Sequence, residues 1–470
     1  MGALECCGKE KIKMSDSKIL LEMPRLEAFG VVIVLVAAMG YSIISLGWLP
    51  HMSILTSIIV LLVYGLIRGV KYTDMQTGMA ASLQQGIGAL YLFFFIGLLV
   101  SALMMSGSIP TLMYYGFGLI SPQYFYLSAF VLSSLIGIAI GSSLTTCATI
   151  GVAFVGMGEA FHADLAMTAG AVVSGAFFGD KMSPLSDTTG IAASIVGIDL
   201  FEHIRNMMYT TIPAWLITAA LTGWMLPAVS ANDLNSTAIF REQLAASGLV
   251  HAYSLIPFAV LVLLAMRKVN AVVAMIITVL SALAITYFHS HPNLIQLGSW
   301  FYSGFKLEGF DKIGKLVSRG GIESMFFTQT IIILGMSLGG LLFSLGVIPS
   351  LLEGMQRFLT NAGRATFSVA ATSVGVNFLI GEQYLSILLS GKTFRPVYER
   401  LGLHPRNLSR TLEDAGTVIN PLVPWSVCGV FISQTLGVAV WSYLPYAFFC
   451  YLCLFLTLIF GWTGITLSKQ

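Results

Sequence analysis

The chain is poor in charge. Only 10% of its 470 residues are Asp, Glu, Lys or Arg, against about 25% in a soluble globular protein. The 24 basic and 22 acidic residues nearly cancel, to a formal net charge of +2, so nothing points to nucleic acid. Six cysteines are too few and too irregularly spaced for a zinc site or a disulfide framework. Cys147, Cys428, Cys450 and Cys453 lie in apolar stretches and read as packing residues. HExxH and GxSxG motifs are absent, which leaves hydrolase chemistry without support. Extended alternation of apolar and polar residues is also lacking, which argues against a β-barrel.

What is abundant is apolar surface. Hydrophobic residues make up 56% of the chain, too many for one water-soluble core. A membrane-crossing helix needs about 20 apolar residues, and apolar runs recur about a dozen times from 28–48 to 442–461. The expected fold is an all-α polytopic membrane protein of about 10–12 transmembrane helices. The expected divisions are a cytoplasmic tail 1–27, a first transmembrane repeat 28–228, an external linker 229–248, a second repeat 249–463 and a short tail 464–470. Polar stretches at 68–82 and 289–322 interrupt the pattern. The basic N-terminus shows no cleavable signal.

The two halves resemble one another. SGSIPTL at 106–112 matches LGVIPSL at 345–351, and GDKMSPLSDTT at 179–189 matches GTVINPLVPWS at 416–426. Two matches in one order and at nearly one offset indicate an internal repeat. With the N-terminus cytoplasmic, the positive-inside rule suits an inverted one. Arg241, Lys306, Lys312, Lys315 and Arg319 fall outside, Lys181 falls within the membrane, and every other Lys or Arg falls inside. Both termini are then cytoplasmic.

Ionisable groups in apolar segments are costly and usually functional. They concentrate at 180–189, where Asp180, Lys181, Ser183, Asp187, Thr188 and Thr189 follow an apolar, small-residue helix. Pro184 removes a backbone donor and disfavours helix at Ser183. The expected structure is a helix unwound at membrane depth. Its carbonyls, hydroxyls and carboxylates would face a protected cavity. Such oxygens suit a small hard cation such as Na+, held at Asp180 and Asp187, and a carboxylate in low dielectric binds H+ in competition. The alternative is an ordinary surface loop with Asp180–Lys181 as a solvated pair.

A second polar cluster, Ser142, Ser143, Thr145 and Thr146, lies between glycines, either as a hairpin tip or as hydroxyls bonded to their own helix. Its second-half counterpart, 375–394, offers Asn377 and Glu382. GKT at 391–393 lacks the upstream glycine of a phosphate loop, because Ser386 stands there. In 407–426, Asp414 is a candidate second acid or a helix-start acid, and Glu413 reads as interfacial. By the proline alignment Asp187 pairs with Pro424. The seven histidines read as interfacial, with His251 also a candidate proton sensor. Glu323 reads as a helix-start acid.

GSSLTTCATIGVAFVGMG at 141–158, followed by AGAVVSGAFFGDKMSPLSDTT at 169–189, closely resembles the NhaC family of bacterial Na+/H+ antiporters. The likeness extends over essentially the whole chain, and GDKMSPLSDTT is its most specific part. The resemblance implies a secondary transporter of two inverted repeats, each with a re-entrant hairpin (137–158 and 375–395) and a broken helix (165–198 and 408–440). It implies Asp180, Ser183, Asp187 and Thr188 as contributors to the cation and proton site. Na+ and H+ are then cargo, with no cofactor, and the partner is the lipid bilayer of the cytoplasmic membrane. A small-carboxylate or amino-acid substrate stays open, with Lys181 either neutralising Asp180 or attracting the anion. A second copy of the chain as partner also stays open.

Overall fold

The computed structural model describes residues 19–225, 231–307, 314, 317–356 and 359–469. The tail residues Cys6, Cys7, Lys9, Lys11, Lys13 and Lys18, and also Lys312, Lys315 and Arg357, lie outside them. The described residues are helical with no strand beyond one isolated bridge, Leu403 with Lys469. Seven helices are long and apolar enough by themselves to cross a membrane, and two bent pairs raise the total to nine. This is a polytopic membrane protein. Helices satisfy their own backbone groups, the requirement for crossing hydrocarbon.

In chain order the first half comprises α1 Arg25–Ile44, α2 Pro50–Ile67, α3 Tyr72–Met105, α4 Ser108–Leu119, α5 Phe125–Ile140, α6 Val152–Ala160, α7 Leu165–Met182, α8 Asp187–Val196 and α9 Leu200–Trp224. Helix α10, Ala231–Ala246, lies within the stretch expected to be a plain linker. The second half comprises α11 Ile256–Met266, α12 Ala271–His289, α13 Leu294–Ser303, α14 Glu323–Ser344, α15 Val347–Gln356, α16 Ala362–Ile380, α17 Gln383–Arg400, α18 Pro405–Leu412, α19 Val427–Leu436 and α20 Phe448–Thr463.

The polar stretch 68–82 is not a separate segment. Most of it is the first part of α3, which has 34 residues. At 1.5 Å per residue such a helix is about 50 Å long, longer than the ~30 Å hydrocarbon layer, so it can carry a polar end. α3 packs antiparallel on α14. Glycines allow the close approach: a Cβ on Gly86 would meet Met336 Sδ at 1.9 Å, and one on Gly340 would meet the Gly78 carbonyl at 2.5 Å.

The chain turns back at two tips. α5 ends at Gly141 (φ 72°), and the short turns Ser143–Thr146 and Cys147–Gly151 lead into α6. α16 ends at Gly381 (φ 77°) and α17 returns. The hairpin arms therefore begin at Phe125 and Ala362, earlier than the sequence reading placed them. The returning first arm, Ser143–Ala160, is 94% buried, whereas α1 is 22% buried. Protein therefore surrounds it rather than lipid. α7 and α8 form one broken helix, and α18 and α19, joined through the π turn Glu413–Thr417, form another.

Equivalent features recur at a spacing of 239 or 240 residues. The left-handed glycines Gly107 and Gly346, Gly141 and Gly381, and Gly197 and Gly437 pair in this way. So do the capping serines Ser186 and Ser426. These caps set Asp187 against Val427, which corrects the proline-based pairing with Pro424.

Candidate functional site

The site forms where the two tips meet the first break. α5 and α7 run side by side and are held close by small residues. A Cβ on Gly179 would lie 2.4 Å from the Gly137 backbone, and one on Gly175 would lie 2.4 Å from the Phe130 carbonyl. At the end of α7, Ser183 leaves the helix (ψ 129°) and Pro184 follows. The Ser183 hydroxyl donates to the Ile138 carbonyl at 2.8 Å and accepts from the Leu185 amide at 3.3 Å. Ser186 then caps α8, so Asp187 stands in its first turn.

Around this break lies a cavity of about 1050 Å³. Asp180, Asp187 and Glu382 line it, with Ser142, Ser143, Thr145, Ser186, Thr188, Gln383 and Tyr384. Asp180 is buried, and its Oδ2 accepts from the Ser143 hydroxyl at 2.6 Å. Asp187 is exposed to the cavity. Glu382 caps α17, accepting from the Leu385 amide at 2.7 Å. Three carboxylates and several hydroxyls thus face one space, the ligand chemistry that suits a hard cation or a proton. Among the described lining residues Lys268 is the one cation. It stands with Val269 and Asn270, between α11 and α12. The opposite wall is Gly86, Leu92, Met275, Ile332 and Met336 from α3, α12 and α14.

Residues 175–465 match the model of the Na+/H+ antiporter family. The chain belongs to that family. The Na+/H+ antiporter NhaC of Alkalihalophilus pseudofirmus is 39% identical over 90% of this chain and 92% of its own length. The NhaC of Bacillus subtilis is 38% identical over 88% of this chain and 92% of its own. The malate-2H+/Na+-lactate antiporter of Bacillus subtilis is 34% identical over 88% of this chain and 89% of its own.

In this family member several residues singled out in the sequence do not face the cavity. Thr189 donates to the carbonyls of Asp180 at 3.4 Å and Lys181 at 3.5 Å. Thr146 donates to the Ser142 carbonyl at 2.8 Å, and Ser183 is engaged at the break as described. Asn377 donates to the Gly416 carbonyl at 2.7 Å and accepts from Asn420 at 2.9 Å. Asn420 in turn donates to the Gly381 carbonyl at 3.2 Å and accepts from the Cys428 amide at 3.0 Å. The second break is therefore braced to the second tip by neutral amides.

Lys181 does not neutralise Asp180. It points the other way, and its ammonium donates to Asp414, with both side chains fully buried. Asp414 is thus neither in the cavity nor at a helix start. Glu413, read as interfacial, is also fully buried. Sequence reasoning missed the roles of Ser186, Gln383 and Tyr384 as lining residues. Ser186 alone carried a signal: a serine directly before the acid that opens a helix is a cap.

Proposed function

We propose that this chain exchanges Na+ for H+ across the bacterial cytoplasmic membrane by alternating access, as a transporter and not an enzyme. Family membership supports the exchange. The observation that carries it is the wall of the cavity, with three carboxylates and hydroxyl oxygens against one cation, Lys268. Asp180 and Asp187 bind Na+ and H+ in competition. Ser143 and Thr188 supply neutral oxygens, and Glu382 supplies a third carboxylate from the second tip. H+ moving inward down its gradient expels Na+.

The cavity reaches Lys268 and the C-terminal part of α8, on the face where Arg395 donates to the Ile195 carbonyl. That face also carries Arg68, Lys71, Arg267, Arg400, Arg406 and Lys469. The positive-inside rule supports reading it as cytoplasmic, with the C-terminus on that side. The recurrence of tips, caps and left-handed glycines at 239–240 residues supports two inverted repeats. In alternating access, the tips and broken helices would shift against α3 and α14, closing this mouth and opening the other side.

A carboxylate-coupled exchange is the second reading. The relative named for malate and lactate and Lys268 beside the cavity favour it. The burial of Lys181 against Asp414 weighs against it, because that cation is not available to an anion in the cavity. The test is Na+-induced collapse of an imposed pH gradient in proteoliposomes, comparing wild type with Asp187→Asn. Collapse by wild type alone is the expected result. A wild type inert to Na+ that responds to malate and lactate on opposite sides would replace the first reading by the second.

A further inference from the structure

Behind the cavity lies a second group of ionisable side chains that the exchange just described does not use. Lys181 on α7 and Asp414 in the π turn form an ion pair, and Thr210 on α9 lies 3.3 Å from both Lys181 Nζ and Asp414 Oδ1. Cys453 of α20 lies 3.7 Å from Lys181 Nζ. Next to Asp414, Glu413 is fully buried, and neither of its carboxylate oxygens has a hydrogen-bond partner. The Thr417 hydroxyl one turn on is likewise unpartnered. An ionised carboxylate in such a place would cost far more than the neutral acid. Lys181 is already matched by Asp414, so no spare cation balances a second negative charge. Glu413 therefore holds a proton in this structure.

The charged groups that act on Glu413 are Asp180, Lys181 and Asp414. The turn 413–417 packs on α8, α16, α17, α18 and α20. α18 contributes Arg410, which acts on Asp414 and is tied to Thr466 at 2.9 Å. α20 contributes Cys453, and α17 contributes Tyr398, which faces Arg410. α16 contributes the neutral Asn377, and the acid of α8, Asp187, opens to the cavity.

We propose that Glu413 is a second proton-carrying acid of the exchanger, separate from the cation-binding carboxylates and linked to them through Asp180 and the Lys181–Asp414 pair. The proposal rests on the exchange reading above. Asp180 and Lys181 are neighbours on one helix and face opposite ways, one to the cavity and one to this interior pair. A change of charge at Asp180 is felt at Glu413 across a low-dielectric interior. Binding of Na+ in the cavity adds one positive charge. Glu413 can then release its proton, because Lys181 shares two carboxylates while Na+ offsets Asp180. The proton returns to Glu413 when Na+ leaves. Each cycle thus moves one more H+ than the cavity carboxylates alone would carry.

The experiment is a measurement of H+ moved per Na+, from reversal of flux at balanced gradients in proteoliposomes, with wild type, Glu413→Gln and Glu413→Asp. Gln is close to the protonated acid in shape and charge, so it preserves the packing that Glu413 has in this structure. The expected result is that Glu413→Gln still exchanges but moves one H+ fewer per Na+, and Glu413→Asp restores the wild-type ratio. Infrared difference spectra on Na+ addition should show loss of a protonated carboxylic-acid carbonyl band in wild type and no such band in Glu413→Gln. An unchanged ratio in Glu413→Gln, with an unchanged infrared difference, would overturn the proposal. Wild-type vesicles that fail to exchange at all would sink the exchange reading instead. Should Glu413→Gln not fold, the wild-type band decides: its absence rejects a Na+-linked proton.

Discussion

Lys181 and Asp414 stand 233 residues apart in sequence and meet as an ion pair that is wholly buried. The pair fastens the end of α7 to the turn before the second break, so each broken helix is anchored on the other. A buried pair is weak evidence for stability, but removing one partner leaves an uncompensated charge. Asp414→Asn should therefore lower stability by about 3–5 kcal/mol. The double variant Lys181→Met, Asp414→Asn should be more stable than Asp414→Asn alone, because the leftover charge is gone. Thermal unfolding in detergent reads both, and a double variant that loses the sum of the two single losses would contradict this account.

Asp187 presents the opposite case. Its side chain opens to the cavity, so neutralising it removes no packing. Asp187→Asn should abolish Na+-driven proton flux while changing stability by no more than about 0.5 kcal/mol, as for other exposed positions. Flux and melting temperature measured on one preparation test this. A large fall in melting temperature would mean that Asp187 holds the fold rather than the ion.

The close approach of α5 and α7 makes a steric prediction. A Cβ on Gly179 would sit 2.4 Å from Gly137 backbone atoms, whereas one on Gly375 meets nothing within 4 Å. Gly179→Ala has to part the two helices, at about 1–3 kcal/mol, and shift Asp180 beside it. Gly375→Ala, within α16, should stabilise by up to about 1 kcal/mol. Yield and melting temperature should separate the two substitutions in opposite directions.

On the face opposite the cavity mouth, Arg319 donates to the Thr435 carbonyl at 3.0 Å, at the C-terminal end of α19. Burial pulls the guanidinium below its ordinary value, and Glu159 partly opposes that. A cation on a helix C-terminus adds to the hydrogen bond. Arg319→Gln should cost about 1.5–3 kcal/mol. Arg319→Lys should recover part of it. An equal melting temperature for all three chains would remove this tether from the stability of α19.

Much of this was legible in the sequence, and the exceptions have physical causes. Apolar length alone marks α1, α2, α12 and α14, because lipid demands it. The first break was legible because Pro184 and the acids beside it interrupt a small-residue helix. The N-terminal part of α3 was not, because polarity there reads as a loop when the helix simply outruns the hydrocarbon. Glu413 was misread for a related reason: Arg406 and Arg410 nearby suggest a surface, yet Arg410 is buried against Thr466. The two breaks were aligned on Pro184 and Pro421, but the second unwinds earlier. α18 gives way to a π turn at Glu413, while α7 stays helical to Met182. The partners of Lys181 could not be read at all, since a contact across 233 residues exists only in the fold.

The amide mesh of Asn377 and Asn420 has a consequence for how such a protein can diversify. It holds the second break and the second tip together without a charge and away from the cavity wall. The positions that meet the cargo, Asp187 above all, bear little of that structural duty. Selection can therefore rework the ion-binding wall while the scaffold that moves it stays intact.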